Sequence, residues 1–171
     1  MINLKKLKRM LGKVQQSTLR NRSMNRENVF ETLKIDEGVK YEIYLDHLGY
    51  PTFGVGHLVT TSDPEHGQDV GTEISKERVW ECFETDLDTS ILECEALYEE
   101  RTFRDFPSEV QEILVNMMFN MGRTRLSKFK KMNAALIDGD WKEAAKEGRD
   151  SRWYRQVTNR AERLMTRMEN V

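Results

Sequence analysis

Several common protein classes are excluded by what this chain of 171 residues lacks. No stretch approaches the apolar run of about 18 residues that a membrane span requires. Cysteine is scarce. The two that occur, Cys82 and Cys94, fall twelve positions apart within one helical pattern. A straight helix would hold them roughly 18 Å apart, too far to bond, so free thiols in a reduced compartment are expected. No His/Cys spacing has the form of a zinc site, and neither an internal repeat nor a low-complexity tract is present. What remains, with 38% hydrophobic and 33% charged residues, suits one soluble globular domain with a substantial core.

Charge is unevenly spread. Residues 1 to 26 carry eight basic side chains and no acid, leaving 19 basic against 29 acidic in the rest. Leu4, Leu7, Leu11 and Val14 follow a three-four repeat there, so a helix would have one apolar stripe in a basic surround. Three readings stay open for this extension: a helix docked on the acidic body, an arm that follows anionic envelope polymers, or an address or linker remnant. Charges interrupt every candidate apolar stretch, which argues against a secretion signal.

The most informative segment is Asp36 to His57. An amphipathic helix over Asn28–Ile35 should end at Gly38, placing Glu37 in its last turn. The helix dipole disfavours a carboxylate there and so favours the protonated form that a general acid needs. Tyr41, Ile43 and Leu45 alternate with Glu42, Tyr44 and Asp46 as a strand. His47 to Pro51 reads as a turn, and Thr52 to His57 as a returning strand whose Gly54 and Gly56 suit a bulge or a close approach. Two carboxyls bracketing a small sheet are the equipment for cleaving a glycosidic bond: one protonates the leaving oxygen, the other manages water or the developing cation.

Downstream, Ser75 should cap a long helix with Val79, Trp80, Phe83, Leu87, Ile91 and Leu92 on one side. Ser108 and Gln111 have the spacing of a capping box. They open a helix, apolar all round, that suits a bundle centre and ends at Gly122. Shorter helices are expected over 126–137, 141–147 and 159–168.

The motifs Glu37-Gly38, Tyr44-x-Asp46, Gly49-Tyr50-x-Thr52-x-Gly54-x-Gly56-His57, Ser151-Arg152-Trp153-Tyr154 and Asn159-Arg160-Ala161 resemble those of the lysozymes of T-even bacteriophages, glycoside hydrolase family 24, over residues 27 to 171. That resemblance implies an α+β fold, mostly helical: a small lobe with a short antiparallel sheet (about 27–74), a connecting helix (about 75–100) and a larger helical lobe (about 101–171). It implies an endo-acting muramidase that cuts peptidoglycan between N-acetylmuramic acid and N-acetylglucosamine, with inversion. By the same resemblance Glu37 is the acid, Asp46 the second carboxylate and Thr52 a holder of the attacking water. Asp36 pairs with Arg160, and His57 pairs with Asp86. Leu58, Phe119 and Asn120 are substrate contacts; Asn120 stands where Gln or Glu is common, and Met132 and Glu147 depart from polar cleft positions. A monomer acting on glycan strands is expected, with no metal, organic cofactor, nucleic acid or stable membrane insertion. The expected route starts in the host cytoplasm and ends at the wall. The chain also stops short of the usual family C-terminus, and the basic extension is expected to cover the surface so exposed. A lytic transglycosylase, or a non-catalytic wall-binding or virion module on the same scaffold, remains the alternative.

Overall fold

In a computed structural model, residues 24–171 are described; the expectations for the basic extension lie outside them except at its last residues, where Arg26 already belongs to the first helix. Helix α1 (Arg26–Glu37) leads into a three-stranded antiparallel sheet, β1 (Lys40–Leu45), β2 (Pro51–Gly54) and β3 (His57–Leu58), in that spatial order. A long helix α2 (Lys76–Tyr98) follows, then α3 (Glu100–Asp105), α4 (Ser108–Leu126), α5 (Lys130–Ile137), α6 (Trp141–Arg149), α7 (Arg152–Gln156) and α8 (Thr158–Glu169).

The sheet has its own small core of Ile43, Phe53, Ile74, Val79 and Cys82. Of the strand residues expected to face inward, only Ile43 is buried; Tyr41 and Leu45 are exposed. The expected second strand is divided. Gly54, at φ 62°, ends β2, and a turn at Val55-Gly56 reverses the chain into β3. A Cβ on Gly54 would sit 3.2 Å from Val79 Cγ1, so the close approach read from this glycine is to α2.

The larger core gathers around α4, where every residue from Val110 to Met118 is buried. An all-round apolar helix can be stable only when other helices surround it, and α2, α8 and α1 do so here. Val29 and Leu33 of α1 join this core, although α1 precedes the sheet in sequence.

Local signals held where the needed atoms are adjacent in sequence. The Ser75 side chain accepts from Arg78 N–H at 3.1 Å and starts α2. Cys82 and Cys94 are buried and free on that one helix. Other signals failed. Ser108 is not a cap but the first helical residue after Pro107. Gln111 turns back to the carbonyls of Arg104 (3.2 Å) and Phe106 (2.8 Å), a more distant use of its amide than a capping box. Trp80 and Leu92 lie exposed, because α2 is covered along a narrower stripe than its apolar residues suggest. Gly122 (φ 73°, ψ 165°) does break the helical backbone as expected, although a further turn runs on from it to Leu126. The helix expected from Leu126 begins at Lys130, and the short helices α3 and α7 were not anticipated.

Candidate active site

The last turn of α1 carries two adjacent acids with different fates. Gly38 takes φ 77° and its N–H closes on Lys34 O at 3.0 Å, which stops the helix directly after Glu37. The Asp36 side chain is 1% exposed, and a charge so buried must be paired. It accepts from Asn116 Nδ2 at 3.0 Å, from Arg163 Nη2 in a close ion pair, and has Arg160 Nε at 3.5 Å.

Glu37 is more open. Arg160, itself almost buried on α8, donates from Nη1 to Glu37 Oε1 at 2.5 Å, while its Nε and Nη2 bond the side chain and carbonyl of Asn116. The guanidinium therefore sits across both acids, with its shorter contact on Glu37. The helix-end field that disfavours negative charge at Glu37 is countered by this cation. Asn120 Nδ2 approaches the same Oε1 at 3.4 Å, and Asn120 Oδ1 accepts from Trp153 Nε1 at 2.9 Å. Asn120 was expected to touch substrate; its amide is engaged between the acid and the indole.

Asp46 is held by its own neighbourhood. Oδ1 accepts the N–H groups of Leu48 (2.8 Å) and Tyr50 (2.9 Å), and the Asp46 main chain exchanges hydrogen bonds with Tyr50 and Gly49. The Tyr50 N–H above all, helped by Leu48 against partial desolvation, holds the carboxyl below its usual range. Asp46 is thus an anion across the neutral range. Thr52 pairs with Tyr44 on one side and Leu58 on the other, placing it mid-sheet. It is buried, and its hydroxyl donates to Tyr50 O at 3.0 Å. With its proton so used, the oxygen can serve a water only as an acceptor.

Tyr44, of the Tyr44-x-Asp46 motif, lies on β1 just before the turn that holds Asp46. Burial raises its phenol pKa first, and the charges of Asp46 and Glu37 raise it further. Lys40 Nζ lies 4.1 Å from the centre of its ring.

Leu58 and Phe119 come together along a groove of about 530 Å³ that also exposes His57, Asp86 and Arg123. His57 Nδ1 is 2.9 Å from Asp86 Oδ2, and Nε2 is 3.3 Å from Asp63 Oδ1. The Asp86 bond, outweighing burial, raises the imidazole pKa. Asp63, the second partner of His57, was not singled out from the sequence. Arg78 secures it at 3.1 Å while gripping Glu65 with two bonds of 2.8 and 2.9 Å. Donor atoms of His57, Asp63 and Cys82 lie within 4.8 Å of one another, the spacing of a metal site. Both imidazole nitrogens face carboxylates, however, and burial pushes the Cys82 thiol up to about 11, so the group is built as an ion-pair network.

Met132 is buried and Glu147 nearly so, both beside a second groove rimmed by Lys128, Lys130, Lys131 and Arg152. Trp153, which seats Asn120, and Arg163, which covers Asp36, were also missed. Trp153 stood inside the Ser151–Tyr154 motif, the signal that could have found it.

A short sheet and a helical lobe joined by one long helix, with an acid at a helix end and an anion at a sheet turn, define a glycosidase of the lysozyme-like α+β class. Residues 34–170 match the phage lysozyme family, and the chain belongs to it. It is 33% identical over 156 residues to Probable T4-type lysozyme 2 of Dictyostelium discoideum, covering 81% of this chain and 92% of that one. It is 32% identical over 151 residues to the Pre-baseplate central spike protein Gp5 of Enterobacteria phage T4, covering 78% of this chain but 26% of the spike protein. Peptidoglycan hydrolase gp36 of Pseudomonas phage phiKMV is 31% identical over 133 residues, 77% of this chain and 14% of its own.

Proposed function

We propose that the protein is an endo-acting muramidase that hydrolyses the β-1,4 bond between N-acetylmuramic acid and N-acetylglucosamine in peptidoglycan, with inversion. The reading rests on one observation above others: Glu37 at the end of α1 and Asp46 in the β1–β2 turn are held in different ways, the first by Arg160 and Asn120 and the second by the N–H groups of Leu48 and Tyr50. One acid donates, the other stays ionised, and a glycosidase needs that division of labour.

Glu37, protonated, gives its proton to the bridging oxygen as the bond from that oxygen to the anomeric carbon breaks. Asp46 stabilises the resulting oxocarbenium character or activates water. Thr52 accepts a hydrogen bond from that water. Leu58 and Phe119, which share one groove, are assigned to the glycan on the strength of the family resemblance. No metal or organic cofactor enters the scheme. The substrate reading draws on the relatives named as lysozymes and as a peptidoglycan hydrolase. Action as a monomer, after passage from a host cytoplasm to the wall, completes the proposal; no helix among the described residues is long and apolar enough to cross a membrane.

Digestion of purified Gram-negative peptidoglycan, with mass spectrometry of the fragments and NMR of the first anomer formed, tests it. Reducing muramic-acid ends that appear first as the α anomer are expected. Anhydro ends would make the enzyme a lytic transglycosylase, and reducing glucosamine ends would move the cut to the other bond. A second reading, that the domain works as part of a virus particle, is favoured by the likeness to a baseplate spike protein. Probing purified particles for the chain separates the two settings without changing the chemistry.

A further inference from the structure

We propose that Asn120 and Trp153 are positioning residues that confine the transferable proton of Glu37 to Oε2. The inference rests on the reading of Glu37 as the acid and extends it to one oxygen of its carboxyl.

The argument starts from Trp153. An indole N–H can only donate. The amide atom 2.9 Å from Trp153 Nε1 must therefore be the Asn120 oxygen, and the amide atom 3.4 Å from Glu37 Oε1 must be the nitrogen. Trp153 is 7% exposed and packs edge-on against Phe129, so the indole is fixed in place. The amide cannot flip without setting its own NH2 against the indole donor. The second partner of Oε1 is Arg160 Nη1, and a guanidinium offers no acceptor. Glu37 Oε1 thus faces two donors. A proton placed on it would point at groups unable to accept it, whereas Oε2 has no competing donor among the described residues.

The consequence for the reaction follows. The Oε2–H bond breaks and the proton passes to the glycosidic oxygen. That oxygen keeps the electron pair of its broken bond to the anomeric carbon. Water adds its oxygen to the carbon and releases a proton to the Asp46 carboxylate, from which solvent restores the acid. Negative charge that appears on Glu37 as the proton leaves spreads to Oε1, where Asn120 and Arg160 already point. Donors aimed at charge that develops during the step lower kcat when removed and leave KM largely unchanged.

The other charged or titratable groups around Glu37 are Asp36 beside it on α1, Arg160 on α8, Arg163 of the same helix on Asp36, and Tyr44 on β1, whose phenol feels the Glu37 charge. None is altered by changing the amide or the indole, so a moved pH profile reports on the pair itself. The test measures kcat and KM against pH on purified peptidoglycan for wild type, Trp153→Phe, Asn120→Asp and Glu37→Gln, with melting curves for each. Asn120→Asp keeps the shape but sets a carboxylate where the NH2 stood. The alkaline limb of its kcat profile is expected to move up by about one pH unit, as for carboxyls that share a site. Trp153→Phe frees the amide, and kcat is expected to fall roughly three- to tenfold with KM steady, the scale of one hydrogen bond. An Asn120→Asp protein that melts like wild type and keeps both its kcat and its alkaline limb overturns the proposal, even if Trp153→Phe fails to fold. If Glu37→Gln is inactive while that limb stays put, only the positioning proposal fails. If Glu37→Gln turns over, the acid itself is misassigned and both readings fall.

Discussion

The two carboxyls are held by opposite means. Asp46 is fixed by N–H groups two and four residues away. Glu37 is fixed by Asn120 and Arg160, 83 and 123 residues away on two other helices. A turn can organise the first as soon as the chain reaches Tyr50. The second exists only once α1, α4 and α8 have packed. The difference suits the division of labour: a site that must stay ionised needs only local N–H donors, whereas an acid that must lose and regain a proton needs partners placed by the whole fold.

Chemistry gives the largest test of this contrast. Glu37→Gln should lower turnover by about 10²- to 10⁴-fold, the usual contribution of a positioned acid, while folding is kept; peptidoglycan turnover beside a melting curve checks it. Next is the long-range network. Arg160→Leu strands the buried Asp36 with part of its partnership and should cost about 3–5 kcal/mol in urea unfolding, because removing one member of a buried charge cluster leaves the rest uncompensated. A loss near zero would mean that Arg163 and Asn116 suffice for Asp36.

His57 mixes the two modes, with Asp63 six residues away and Asp86 twenty-nine. Its folded pKa is raised, so the stability it adds is full below its unfolded value, near 6.5, and is lost as pH rises through the folded value. The unfolding free-energy gap between wild type and His57→Gln should therefore be widest in mild acid and shrink toward pH 8. An NMR titration of His57 that gives a pKa below 6.5 would reverse that sign. The smallest effect should be on the stability of Asp46→Asn. Its side-chain oxygen can still accept from Leu48 and Tyr50, so the urea unfolding midpoint should stay close to that of the wild type while turnover falls.

The same local-versus-distant division explains how much the sequence disclosed. Gly38 after Glu37, the Asp46 turn, the Ser75 cap and the buried character of α4 depend on neighbouring residues or on periodicity, and they were legible. So was the fold class, through the motifs that carry the family resemblance. Arg160 reaching past Asp36 to Glu37, Arg163 closing on Asp36 and Trp153 seating Asn120 are contacts between helices, and no spacing encodes them. The capping box at Ser108 failed locally: Ser108 lies inside α4, the capping position belongs to Pro107, which has no N–H to offer, and the Gln111 amide donates instead to Arg104 O and Phe106 O. Exposed Leu92 shows that an apolar residue on the right stripe is buried only where another element arrives to cover it.

The most direct test is a side-by-side assay of wild type and Glu37→Gln on purified peptidoglycan, at matched concentration and with both proteins shown to melt alike. The account predicts soluble muropeptides with reducing ends from the wild type and a loss of at least about a hundredfold in the variant. Equal release from both would contradict it and remove Glu37 from the chemistry.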